Sequence, residues 1–442
     1  MSTVEPAAVR LHRWRIWRYW LTPGMGVKRY VASAVAGGVV FALGAAAGVV
    51  WLLGDGRRSA SEPIEAVLSS PGWAQIGGWL ALAAVLAGVV LAASAVRRLN
   101  RSLLSNWLPE PDQAASQLHD RLVRARGPRI VALGGGTGLS RLLRGLRQAT
   151  SNLTAVVAVS DDGGSSGRLR AAFGMPAPGD LVDCLAALSH DEAALGRLLA
   201  YRFERGAELQ GHTFGNLFLT TLTEVEGDFA EALRIANRML DLGGSVYPAT
   251  ARPVALRARK RDGRRVAGEQ HLRDGGGAIE RVWLEPADVE APPEVIAALD
   301  DAELVVLGPG SLYSSTLPPL LVPSVAAALR RTPARLAYVC NIMTEDGETA
   351  GLDAWAHVEA LHAHLGRYPD VVLVNSEAVD ARRRAAYAEE GAQVVVVEPE
   401  RFAAAGVRLL PTAMLDAEPY AQHDPARLAV ALVAIATERV GR

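Results

Sequence analysis

Only two cysteines occur in the 442 residues, Cys184 and Cys340, far apart and in no metal-ligand spacing. That excludes a disulfide scaffold and a thiolate zinc site, and it fits a reducing compartment. There is no excess of one charge either. The formal net charge is −1, so a global polyanion-binding surface is excluded and no nucleic-acid partner is expected. The basic charge is almost all arginine, and no Walker lysine follows a glycine-rich turn. P-loop ATP chemistry is therefore unsupported. No Ser-His-Asp order, paired glycosidase carboxylates or metal-ligand spacing is identifiable.

Apolar sequence, in contrast, is plentiful and unevenly spread. Half of the residues are hydrophobic. Two charge-free runs stand out, "VASAVAGGVVFALGAAAGVVWLL" at 31–53 and "GWAQIGGWLALAAVLAGVVLAASAV" at 72–96. Each exceeds the roughly 20 residues a helix needs to cross a bilayer. A cleavable signal peptide fits poorly, because the first run starts at residue 31 and a second follows. Arg10, Arg13, Arg15, Arg18, Lys28 and Arg29 precede the first span, and Arg97, Arg98 and Arg101 follow the second. The loop between has Arg57 and Arg58 against Asp55, Glu62 and Glu65. The balance predicts an inner-membrane hairpin with both chain ends cytoplasmic and a short loop outside. Trp14, Trp17, Tyr19, Trp20 and Tyr30 suit an interfacial segment. Gly44 and Gly48 form a small-xxx-small pair that could pack the two spans together or pair protomers as a homo-oligomer.

The expected organisation is a basic cytoplasmic segment (1–30), a transmembrane hairpin (31–96), a helical connector (97–127) and one nucleotide-binding domain (128–442). In the connector, "LPEPD" breaks the chain at 108–112 and "QAASQLHDRLVRA" reads as a short helix. Beyond it, apolar β-branched runs alternate with helical patterns at 138–148, 180–203, 228–240 and 353–365. This predicts an α/β fold, a Rossmann-like, doubly wound and mostly parallel sheet. Residues 250–285 interrupt it with an Asp262-Gly263 turn, predicting a β-hairpin insertion, and "AIERVWLEP" offers a third antiparallel strand. Arg257, Arg259, Lys260, Arg261, Arg264 and Arg265 make that ribbon basic. It is either a solvated face or a contact for a membrane surface or a phosphorylated ligand.

The loops after the strands carry the chemistry. In "VALGGGTGLSRLLRGL" (131–146), Gly134, Gly135, Gly136, Thr137 and Gly138 join a strand to a helix, presenting backbone N–H groups and a helix dipole to an anion. Leu139 occupies the place of the third fingerprint glycine, which weakens an NAD reading. "SDDGGSSGRLR" (160–170) combines Asp161 and Asp162 with the donors Ser165 and Ser166 and with Arg168 and Arg170. Such a loop suits a ligand with a sugar and a diphosphate, or a metal-bridged phosphate, for which Asp161 and Asp162 are the candidate Mg²⁺ ligands. Asp180 reads as a helix N-cap, with Asp183 one turn on. His212 and Asn216 would share a helix face if "GHTFGNLFL" is helical. Gly308, Gly310 and Ser311 form a second glycine turn that would complete a clamp, and Asn341 and Thr344 end another strand.

In this order, the motifs GGGTGLS, SDDGGSSGRLR, PGD, HTFGNL, VYPAT, GPGSLY and CNIMTEDGET resemble the CofD/YvcK family over essentially all of 128–442. The likeness is closer to the YvcK branch, the gluconeogenesis factors. It implies a CofD-like fold, binding of a UDP-sugar such as UDP-N-acetylglucosamine, and a link from gluconeogenic growth to cell shape and envelope synthesis, with envelope-synthesis proteins as partners. The resemblance also assigns Tyr387 to the nucleotide sugar. The other branch comprises phospholactate transferases, which use a guanine-nucleotide donor and a divalent metal at the acidic motif. That leaves a metal-dependent transferase as the alternative to a binding regulator. Two departures stand out. The short members lack the membrane hairpin, and Gln422-His423-Asp424 stands where the branch carries Arg-His-Asp.

Overall fold

The structure is a computed structural model describing residues 27–54, 71–104, 114–273 and 276–438. The chain divides into two compact units, Met1–Asp120 and Arg121–Arg442. The aromatic and basic residues before position 27, the loop charges between 55 and 70, and the "LPEPD" break all lie outside the described residues.

The first unit contains two long helices, Val27–Gly54 and Pro71–Leu104, which pack on each other. Within stretches of 25 and 27 residues in them, 18-residue windows have mean hydropathies of 2.1 and 2.4, so both are long and apolar enough to cross a membrane. Only 11% and 17% of these windows are buried, whereas the core helix of a soluble domain would be mostly buried. The helices meet through glycines. A Cβ at Gly37 would lie 2.7 Å from the Ala92 nitrogen, one at Gly88 2.5 Å from the Phe41 nitrogen, and one at Gly44 2.8 Å from the Val85 nitrogen. Only a missing side chain permits backbones this close. Gly44 therefore packs within the hairpin, while Gly48 makes ordinary contact with Ala81.

The second unit is the doubly wound sheet that the strand–helix alternation predicts. Its strands are β1 (Ile130–Gly134), β2 (Leu153–Val157), β3 (Ser245–Pro248), β7 (Leu304–Leu307), β8 (Arg335–Val339), β9 (Val371–Asn375) and β10 (Arg408–Thr412); β4 to β6 are described below. The order is β10-β9-β8-β7-β1-β2-β3, and every pairing is parallel. All five residues of β1 are buried, because helices cover both faces; hence the continuous apolar run. The helix Gly136–Leu146 buries Leu139, Leu142, Leu143 and Leu146, a stripe at helical spacing. Leu139 is thus committed to the core, a place no fingerprint glycine could fill.

The helical pattern over 180–203 resolves into two helices, Gly179–Leu188 and Glu192–Ala200. Ser189 turns extended, and Asp191 caps the second helix by accepting from the Ala194 N–H at 3.1 Å. Short polar side chains that bond nearby backbone break the helix there. The connector helix spans Ala114–Ala125.

The insertion is a three-stranded antiparallel sheet in the order β5-β4-β6, where β4 is Ala255–Lys260, β5 is Arg265–Ala267 and β6 is Ile279–Glu285. Asp262-Gly263 turns between β4 and β5 as its sequence predicts. Four of the six ribbon cations have partners within the fold, while Arg261 and Arg265 stay exposed. Arg257 pairs with Glu285, Arg259 with Glu280 and Arg264 with Asp262. Lys260 is fully buried, and its Nζ donates to the carbonyls of Leu272 (2.6 Å), Gly277 (3.1 Å) and Gly347 (3.1 Å).

Candidate functional site at the sheet switch point

From β1 the chain runs outward through β2 to β3. It then returns to β7, on the other side of β1, and runs outward through β8, β9 and β10. The switch point therefore lies between β1 and β7, where open parallel sheets bind ligands beyond the strands' carboxyl ends. The two glycine turns follow these two strands. They touch: a Cβ at Gly138 would collide with the Pro309 carbonyl and lie 3.0 Å from the Gly310 nitrogen. A Cβ at Gly310 would lie 3.4 Å from the Gly135 oxygen. Gly136 takes φ +63° to open its helix, a conformation costly for any other residue. The result is two backbone loops and one helix N-terminus converging on one crevice, an arrangement that suits an anion.

Asp180 lies beneath the first loop. It does not cap its helix, whose N-cap is Pro178. Its carboxylate instead accepts the Gly136 N–H, and a Cβ at Gly135 would collide with it. Burial, reinforced by the neighbouring Asp161 carboxylate, pushes Asp180 up to about 7, with the Gly136 N–H opposing. Asp161 is also raised, chiefly by burial, while the Gly163 N–H (2.8 Å) and the Ser166 hydroxyl favour its charge. The two carboxylates of "SDDGG" diverge. Asp161 faces Ser166 and Asp180. Asp162 faces the insertion, where it packs on Gly268 and accepts from the Gln270 N–H at 3.4 Å. Among the described residues no three His, Cys, Asp or Glu side chains converge as a metal cage. Asp161 and Asp162 alone do not fit one.

Ser165, His212 and Asn216 form one buried group. Asn216 Nδ2 donates to Ser165 Oγ at 3.0 Å, and Ser165 Oγ shares a 2.9 Å hydrogen bond with His212 Nδ1. His212 precedes the helix Phe214–Glu226 rather than sharing a face with Asn216; Thr213 caps that helix. Burial, and then the nearby Arg168 and Arg202, lower the His212 pKa. Arg168 is exposed and donates to the Gln210 carbonyl at 3.1 Å. Arg170 is the cation facing both Asp162 and Asp161.

The second loop is tied to the β8 edge. Ser314 Oγ donates to Glu348 Oε1 at 2.8 Å, and Asn341 Nδ2 donates to Glu345 Oε1 at 3.1 Å. Thr344 exchanges hydrogen bonds with Gln393 through its backbone (2.7 Å) and side chain (2.9 Å). Ile342 and Met343, which follow Asn341, pack in a satellite cluster with Val379, Ala421 and Tyr387. Tyr387 thus packs against the loop that follows β8. Beside it, His423 donates to the Cys340 carbonyl at 3.2 Å, and burial pushes its pKa down to about 4. Arg141, on the first glycine helix, pairs with Asp416 and donates to the His423 carbonyl at 3.4 Å. A cation from another element therefore adjoins the segment that carries Gln422.

Fold and site define a Rossmann-like protein with paired glycine loops at its switch point. The chain belongs to the CofD family, described as 2-phospho-L-lactate transferase CofD, which it matches over residues 130–415. Its relatives are the YvcK-like gluconeogenesis factors. It is 42% identical to a Deinococcus radiodurans protein named "Putative gluconeogenesis factor", across 98% of this chain and 92% of that one. It is 43% identical to the "Gluconeogenesis factor" of Bacillus subtilis, across 64% of this chain and 90% of that one. The Deinococcus alignment takes in the two apolar helices; the Bacillus one leaves over a third of this chain unmatched. The crystal structure of a UPF0052 family protein from Bacillus halodurans superposes with a TM-score of 0.67 at 40% identity, covering 69% of this chain and 99% of that chain.

Proposed function

We propose that this protein is a membrane-tethered regulator that binds a UDP-sugar, UDP-N-acetylglucosamine by family likeness, and links gluconeogenic carbon supply to envelope synthesis. The contact between the Gly134–Gly138 and Gly308–Ser311 loops at the switch point carries the reading. The two loops meet beyond the strands' carboxyl ends, where a diphosphate would be held, and the raised pKa of the Asp180 carboxyl beneath them limits repulsion. The relatives' shared name supports a regulator over a transferase. Two exposed apolar helices support the tether, with both chain ends cytoplasmic.

Calorimetry of the full-length protein in detergent should give heat with UDP-N-acetylglucosamine, with or without Mg²⁺. Binding of GDP with Mg²⁺, and none of the UDP-sugar, would instead establish a transferase-type donor site. A periplasmic reporter fused at residue 60 should face outside; a cytoplasmic signal there overturns the hairpin topology.

A further inference from the structure

Neither apolar helix contains an aspartate or glutamate. Lys28 and Arg29 start the first, and Arg97, Arg98 and Arg101 lie near the end of the second. Because the helices run antiparallel, all five cations gather at one end of the hairpin. There the helices part around a cavity of about 420 Å³, lined by Arg29, Tyr30, Ser33, Leu91, Ser94, Ala95 and Arg98.

The lining is organised. Arg29 Nη2 donates to Tyr30 Oη at 3.0 Å, and the Arg29 guanidinium carbon lies 4.8 Å from the Tyr30 ring centroid. This pins one guanidinium while leaving its other N–H groups unused. The hydroxyls of Ser33 and Ser94 donate to the carbonyls of Arg29 (2.8 Å) and Leu91 (2.9 Å), so each is held within its own helix and the donors left for a ligand are the guanidiniums. No described carboxylate pairs with Arg29 or Arg98. Below the cavity, Gly37 and Gly88 bring the helices to backbone contact, so it has a floor.

We infer that this cavity binds the phosphate headgroup of an anionic phospholipid in the cytoplasmic leaflet. The inference rests on the reading that the two helices cross a membrane. Two guanidiniums facing one gap supply paired donors that match phosphate oxygens. A basic pocket between membrane helices on the cytoplasmic side is where such headgroups dock. The ligand is a lipid rather than free phosphate because the helices that carry the cavity expose apolar side chains along their length, Val31, Val35, Val90 and Leu91 among them.

The test uses the full-length protein in mixed micelles, with bound lipid counted by native mass spectrometry. Phosphatidylglycerol should be retained in preference to phosphatidylcholine. Replacing Arg29→Gln with Arg98→Gln should lower that preference at least about tenfold more than Arg97→Gln with Arg101→Gln, which removes the same charge outside the cavity and so loses only diffuse attraction, because a hydrogen bond to a charged group contributes about tenfold. Equal loss in both double variants would show diffuse attraction and overturn the site. Displacement of the lipid by an equal concentration of inorganic phosphate would overturn the lipid assignment. Alkaline carbonate extraction, run separately, should leave every variant in the membrane. A wild-type chain released by carbonate refutes the tether itself, and the site with it.

Discussion

Asp180→Asn should remove a pH dependence of stability centred on the floor of the crevice. The folded pKa of Asp180 is about 7, against an ordinary value of 3.8. Between these values the folded protein holds a proton that the unfolded chain has released. Proton uptake then favours the folded state, so stability is full below pH 3.8 and falls as pH rises towards about 7. At about 1.4 kcal/mol per pH unit the whole window amounts to about 4 kcal/mol. The carboxylate keeps partial access to solvent through the crevice, so about half of that, ~2 kcal/mol, is the expected size. Asparagine keeps the shape and can still accept the Gly136 N–H, but it cannot ionise. Urea unfolding of residues 121–442 is a suitable assay, since the Bacillus halodurans relative folds without the hairpin region. At or below pH 3.8 the variant and the wild type should be nearly equal; the variant should be more stable by about 1 kcal/mol at pH 5 and by about 2 kcal/mol at pH 8. A difference that stays constant from pH 5 to 8 would mean that Asp180 ionises normally, and the account of the crevice floor would fail.

The same proton should act on binding. Affinity for a UDP-sugar should fall as pH rises through about 7 in the wild type, as Asp180 becomes charged, and stay flat in Asp180→Asn by calorimetry. Gly138→Ala drives a Cβ into the Pro309 carbonyl, so the loops must part. Nucleotide-sugar affinity should drop about 5- to 150-fold, for an overpacking strain of about 1–3 kcal/mol. Lys260→Met leaves three carbonyls without their donor and should destabilise the insertion by about 3 kcal/mol, read as faster proteolysis within 255–285. Gly88→Leu should separate the apolar helices, lowering energy transfer between dyes placed on them, without changing ligand affinity in residues 121–442.

Local pattern made much of this protein legible in its sequence. The apolar runs around 31–53 and 72–96, the buried strands, the Asp262-Gly263 turn and both glycine loops each depend on residues adjacent in the chain. Short-range sterics and hydrophobic periodicity suffice for them. The motif order then carried the family. Tertiary contact decided the rest. Asp180 looks like a cap because a carboxylate near a helix start is ordinarily one; only the approach of Gly135, 45 positions earlier, turns it into the floor of a crevice. Asp161 and Asp162 read as a pair, yet the insertion near Gly268 draws Asp162 away and leaves Asp161 facing Asp180. Arg257 and Arg259 of the basic ribbon pair with Glu285 and Glu280, on a strand that lies beside them only after folding. Residue type and neighbours set what each loop can do. Which loops meet, and which charges survive the meeting, is fixed by long-range packing, because desolvation and Coulomb terms depend on distances that a linear sequence does not contain.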